Sequence, residues 1–209
     1  MISPLSRGRR RHRHRRHERG AALVEFCLTG MLLLTFSLGA ADIGLAWRSS
    51  MTVASGVRSA TRVAAHLGTA GTTDHAALLA LASQLGPSRL LSIEFVAIYR
   101  ANGGGGHVPG TCTTTGAVSS GGVTGQCNVY PGSRVIAIAN NPTGTQGTFP
   151  GGCRWCPASR ANTQTGGGGL DTVGVYIKYR HRTMTRMFGT FLDIDDESSM
   201  TIEPDAGRR

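Results

Sequence analysis

The chain has 209 residues, 40% of them hydrophobic, and a formal charge of +10. That is enough for one modest folded domain with appendages, and it excludes a disordered composition. Eight Arg and one Glu among residues 1–20 supply +7 of the +10 and leave +3 for the rest, so the basic charge precedes an apolar run and argues for a cytoplasmic anchor, not a nucleic-acid face.

Residues 1–20 are rich in Ser, Arg and His, show no apolar period, and are expected to form no fold. His12, His14 and His17 alternate, but the arginines among them would repel a cation. Residues 21–41 hold a single charge, Glu25. At ~1.5 Å rise per residue, a segment of that length makes about 30 Å of helix and can cross a bilayer core. A carboxylate there costs on the order of 3 kcal/mol, so its presence asks for a reason. A secretory signal normally has an apolar region of about 7–15 residues, shorter than this one, yet Gly39-Ala40-Ala41 offers a small-residue cleavage site before Asp42. Gly30, Gly39, Ala40 and Gly44 allow close helix approach in lipid, and Cys27 reads as a small hydrophobe.

The helical period continues. Ile43, Trp47, Met51, Ala54, Val57, Ala60, Ala64 and Leu67 form an apolar stripe, ended by Gly68 and Gly71. A second helix starts at Thr73 or Asp74 as cap, shows Leu78, Leu81 and Leu85 on one face, and stops at Gly86-Pro87. Leu91 to Tyr99 alternates as a strand. Residues 101–133 and 140–169 are dominated by Gly, Thr, Ser, Asn and Pro, and Arg134 to Ala139 between them reads as a short apolar strand. Asp171 to Arg182 is the clearest strand, with Val173, Val175, Ile177 and Tyr179 on one face and Gly174, Tyr176, Lys178 and Arg180 on the other. Met184 to Leu192 is a short apolar segment. Asp193, Asp195, Asp196 and Glu197 read as a solvated turn; a calcium loop would need further spaced ligands and its glycine. Ser198 to Glu203 is a last strand, ended by Pro204.

If the C-terminal part is exported, Cys112, Cys127, Cys153 and Cys156 read as two disulfides, with three pairings open. A Cys112–Cys127 bridge would close a loop of about 16 residues, worth roughly 3 kcal/mol in chain entropy. Cys153-Arg-Trp-Cys156 has redox spacing, but its flanks, Pro150-Gly-Gly and Pro157, are those of a loop, where a thioredoxin-like site needs a helix N-terminus. Zinc would need a second pair of ligands, so a structural bridge is the preferred reading. His66, His75, His107 and His181 have no partner at metal spacing, and the glycine runs 103–106 and 166–169 lack the Lys-Ser/Thr of a phosphate cradle. No nucleophile elbow or HExxH occurs; the chain is expected not to be an enzyme and to need no metal or cofactor.

The stretch Arg19-Gly20-Ala21-Ala22-Leu23-Val24-Glu25-Phe26, its apolar run to Ala41, and Asp42-Ile43-Gly44 carry a resemblance. A basic leader stopping at glycine, with an acid five residues later, resembles the prepilin-peptidase site of type IV pilins. The wider wording is similar to the TadE-like minor pilins, or pseudopilins, of tight-adherence pilus systems. The tail, a strand with Tyr-Arg-His followed by a short apolar turn and a strand closing on Glu203-Pro204, is similar as well, so the resemblance covers residues 19–68 and 171–204. It implies peptidase cleavage between Gly20 and Ala21, and a Glu25 that neutralises the new amine of a neighbouring subunit. The partners it implies are the membrane, the peptidase, other pilin or pseudopilin subunits and the assembly platform, with no nucleic acid.

The resulting expectation is an α+β chain. A long membrane-spanning helix continues as a spine packed on a small antiparallel sheet, with Gly-rich, disulfide-stapled loops. Residues 1–20 would be a cytoplasmic leader, 21–42 the membrane helix, 43–86 extracytoplasmic helices and 87–205 a β-rich head, giving a single-pass membrane protein whose C-terminal part is extracytoplasmic or extracellular in a pilus. The competing expectation is a secreted or membrane-anchored binding module cut by signal peptidase before Asp42.

Overall fold

The computed structural model describes residues 11–86, 91–101, 106–140, 153–163, 169–186 and 189–204. The first ten leader residues, Pro87, the glycines at 103–105 and 166–168, Pro150 with its two glycines, Met187 and Phe188 lie outside them. The chain divides into two units, 1–44 and 45–209. Helix α1 (Arg11–Leu67) belongs in part to each.

In the first unit residues 21–41 of α1 are predominantly apolar around the circumference: Leu23, Val24, Phe26, Met31, Leu33 and Phe36 are all exposed. Its best 18-residue window has a mean hydropathy of 1.9 and none of it is buried. It is the one helix among the described residues long and apolar enough to cross a membrane. The hydroxyls of the run turn back on the helix. Thr29 Oγ1 donates to Glu25 O (2.8 Å), Thr35 to Met31 O (2.7 Å) and Ser37 to Leu33 O (2.8 Å). These side chains therefore ask nothing of lipid.

The second unit is a five-stranded antiparallel sheet with helical segments on both faces. Its strands are β1 (Leu91–Ala101), β2 (Gly122–Val123), β3 (Cys127–Pro131), β4 (Thr172–Arg182) and β5 (Phe191–Thr201), in the order β2-β3-β1-β4-β5. Period-two alternation puts Val96, Ile98, Val173, Val175, Ile177 and Tyr179 on one face. There they bury against Val53, Val57, Ala60 and Ala64 of α1 and against Leu78 and Leu81 of α2 (Thr73–Leu85). The other face of the sheet carries Phe95, Ala97, Tyr99 and Tyr176. It is covered by Cys112 in a 3-10 turn (Gly110–Thr113) and by Ala117 of α3 (Thr115–Ser120).

Two glycines have structural reasons. Gly68 ends α1 at φ +51°, a left-handed value that a β-carbon resists, and its N–H still reaches Ala64 O at 3.0 Å. Gly174 lies beneath the Tyr99 ring, where an added Cβ would stand 2.2 Å from Tyr99 Cζ.

The structure corrects five expectations. Residues 11–20 of the leader, expected to form no fold, are the first part of α1, because arginine is a good helix former and the apolar helix that follows continues back through them. Arg134 to Ala139 is not a strand but the body of helix α4 (Gly132–Asn140). The β1–β3 ladder ends at Pro131, and residues three apart, Val135 and Ile138, reach the core. The acids 193–197 form no turn; they lie in β5, which pairs with β4 from Thr172↔Thr201 to Arg182↔Phe191 and so includes the end of the segment read as a separate apolar piece. Asp193 sits opposite Arg180 and Asp195 opposite Lys178, and opposite charges across a ladder offset the poor strand propensity of Asp. Ile43, Trp47 and Met51 continue the α1 stripe in sequence but are exposed, because periodicity names a face and not how far along it the core reaches. Finally, neither Thr73 nor Asp74 caps α2. Thr72 holds that position without a side-chain bond, and Asp74 points inward.

Candidate assembly site

Gly20, Ala21 and Glu25 lie on α1 and are exposed. Ala21 and Glu25 are four residues apart, so they share a face about 6 Å apart along the axis. Among the described residues no hydrogen-bond or ion-pair partner meets the Glu25 carboxylate. The three hydroxyls of the apolar run are satisfied, so among its oxygen-bearing side chains only Glu25 needs an external partner. An ammonium about 4 Å away is worth on the order of 4 kcal/mol at an effective dielectric of 20. That matches the roughly 3 kcal/mol cost of inserting a lone carboxylate. Cys27, close by, is a free, exposed thiol.

In the second unit the outward face of α1 and the end of α2 border an open groove of about 700 Å³, lined by Trp47, Met51, Arg58, Arg62 and Gln84 among others. This is the part of the helical spine that the sheet leaves uncovered.

The interior of the second unit contains a polar network that sequence reasoning did not single out. Asp74 Oδ1 receives Arg160 Nη2 at 2.5 Å, while Oδ2 accepts from Asn128 Nδ2 and the Tyr130 hydroxyl, each at 2.8 Å. The Arg160 guanidinium also stacks on Trp155, 4.3 Å from the ring centroid. Asn128 Oδ1 accepts from the Arg154 and Trp155 amides (2.9 and 2.8 Å), and its Nδ2 also donates to Trp155 O. Burial, reinforced by Asp74, pushes the Tyr130 hydroxyl well above its ordinary pKa. Asp74 has both oxygens occupied, so the arrangement is a brace joining α2, β3 and the 153–160 loop. No local pattern could have revealed it, since Asp74 and Arg160 are 86 positions apart.

On the sheet's other face Glu94 pairs with Lys178 (3.3 Å) and Arg180 (3.0 Å), and Arg180 with Asp193 (2.9 Å). These are partly exposed and worth at most about 1 kcal/mol each. Glu197 Oε2 accepts from Val108 N (2.8 Å) and the Tyr99 hydroxyl (3.2 Å), while Oε1 meets His107. Burial raises the Glu197 pKa, but these bonds outweigh it and hold the carboxyl below its usual range.

Of the three possible cystine pairings the structure has Cys112 with Cys127 and Cys153 with Cys156. The first bridge pins the loop carrying α3 to β3; the second closes a four-residue ring.

The family model described as TadE-like protein matches residues 20–62. This segment is similar to TadE-like proteins. The match begins at Gly20, includes Glu25, and ends in the part of α1 that packs on the sheet. It spans about one fifth of the chain, and the tail resemblance at 171–204 lies outside it. Comparison with curated proteins and with solved structures finds no match.

Proposed function

We propose that the chain is a minor pilin or pseudopilin of a tight-adherence pilus system, a structural and assembly subunit and not an enzyme. A TadE-like segment with an N-terminal apolar helix is the mark of proteins associated with that pilus, and it supports membrane anchoring. The observation that carries the finer reading is Glu25: a carboxylate on a lipid-suited helix, within the TadE-like match, with no partner among the described residues.

The proposed sequence of events follows from that charge. The Arg-rich leader stays on the cytoplasmic side, as the positive-inside rule requires. Prepilin peptidase cuts between Gly20 and Ala21, and Ala21 gains a charged amine. A neighbouring subunit displaced by about one helical turn, roughly 6 Å, brings its amine level with Glu25. Pairing removes two isolated charges from a low-dielectric layer at once, so it selects one register between packed helices. The domain from residue 45 onward then lies outside the cytoplasm, where its two cystines can persist.

Glu25→Ala and Glu25→Gln test this. Each should leave the amount of membrane-inserted protein unchanged and lower its recovery in sheared pili at least tenfold. Normal incorporation of both variants, with unaltered subunit register, would remove the role assigned to Glu25.

A further inference from the structure

The two disulfides differ in what surrounds them. Cys112 and Cys127 are fully buried, whereas Cys153 and Cys156 are both partly exposed. The Cys153–Cys156 ring contains Arg154 and Trp155, whose adjacent amides both donate to Asn128 Oδ1. The Arg154 carbonyl accepts from Gly125 N at 2.8 Å, and the Trp155 carbonyl from Asn128 Nδ2 at 2.8 Å. Trp155 is buried beneath the Arg160 that pairs with Asp74. A solvent-reachable bridge thus holds the turn that docks a loop onto the buried brace. Cys153 Sγ stands 3.8 Å from Asn128 Nδ2 and 3.9 Å from Asn128 Oδ1, and the Arg154 guanidinium is turned to the Ser120 carbonyl at 3.3 Å. The following 3-10 turn, Pro157–Ser159, has three residues and supplies no helix terminus to Cys153, so the site suits a recipient of exchange and not a thioredoxin-like donor.

We propose that Cys153–Cys156 is a thiol–disulfide exchange site for the dithiol of a partner protein, and that its redox state sets how firmly the 153–160 loop is clamped. The partner's thiolate attacks one sulfur of the bridge, forming a mixed disulfide and releasing the other cysteine as a thiolate, which takes up a proton. The partner's second thiolate then attacks the partner sulfur of the mixed disulfide. The cysteine held in the mixed disulfide leaves and is protonated, and the partner departs oxidised. Two electrons and two protons have passed to the chain. Opening a four-residue ring returns enough chain entropy to raise the opening equilibrium of the turn roughly 20-fold. The buried Cys112–Cys127 bridge stays closed.

The test uses the full chain in detergent micelles, titrated with dithiothreitol, quenched by alkylation, and read by peptide mapping and amide hydrogen exchange. Alkylation of Cys153 and Cys156 while Cys112–Cys127 remains intact, with the Arg154 and Trp155 amides exchanging roughly 20-fold faster, is the expected result. Joint reduction of both bridges, earlier reduction of Cys112–Cys127, or unchanged exchange at Arg154 and Trp155 would overturn the proposal. The variant C153S/C156S should show the fast exchange without reductant, and slow exchange in it counts against the clamp. The titration of the unmodified chain decides alone if that variant does not fold.

Discussion

Removing Asp74 should be the most damaging single truncation in the folded domain. Its side chain is 2% exposed, and that of Arg160 is 0% exposed. Asp74→Ala leaves the guanidinium buried without its counter-charge, and Tyr130 and Asn128 each lose an acceptor. Breaking one side of a buried pair costs about 3–5 kcal/mol. For a domain of this size, each kcal/mol shifts the melting temperature by roughly 2–4 °C, so a fall of about 6–20 °C is expected. Asp74→Leu combined with Arg160→Met removes both charges and should recover at least about 2 kcal/mol of the loss. The assay is thermal unfolding of the full chain in detergent, followed by near-ultraviolet circular dichroism. A D74A penalty below about 1 kcal/mol, or a double variant no better than the single, would refute the claim that this pair braces α2 to the 153–160 loop.

Three further outcomes are expected. Gly174→Val should destabilise by about 1–3 kcal/mol or more, because the new side chain must displace the Tyr99 ring; a melting curve like that of the unmodified chain would contradict this packing. Cys112→Ser with Cys127→Ser should cost about 3 kcal/mol through a freed loop of roughly 16 residues, measured by urea denaturation under non-reducing conditions. The pH dependence of stability should contain a part due to Glu197. Its carboxyl pKa is depressed in the fold, so its contribution is complete above the ordinary value of 4.5 and is lost as pH falls through the lower folded value. Glu197→Gln should flatten the stability curve below pH 4.5, and an unchanged acid slope would show that the Val108, Tyr99 and His107 contacts do not hold the charge.

Much of the scaffold was legible because two periods write themselves into residue choice. The apolar run before Asp42, uncharged but for Glu25, and the alternation in β1 and β4 reflect surroundings that are uniform along an element, so composition and spacing suffice. α4 was not legible, because Val-Ile-Ala-Ile-Ala suits a strand by local preference. Only the end of the β1–β3 ladder and the reach of Val135 and Ile138 into the core decide for a helix. β5 was shortened for a related reason: Asp193 and Asp195 look like turn residues until Arg180 and Lys178 are known to stand across from them. The candidate assembly site was visible as sequence, since an acid in an apolar run is conspicuous on its own. The Asp74 brace was invisible, because its partners come from β3 and from a loop far down the chain and no local rule links them.

The central claim is that a carboxylate inside an apolar helix awaits an amine made by cleavage after Gly20. The intact mass and N-terminal peptide of the protein recovered from its native membrane test this directly. The account predicts a chain beginning at Ala21 with Glu25 as its fifth residue. A chain that keeps the arginine-rich leader, or one that begins at Asp42, would contradict it.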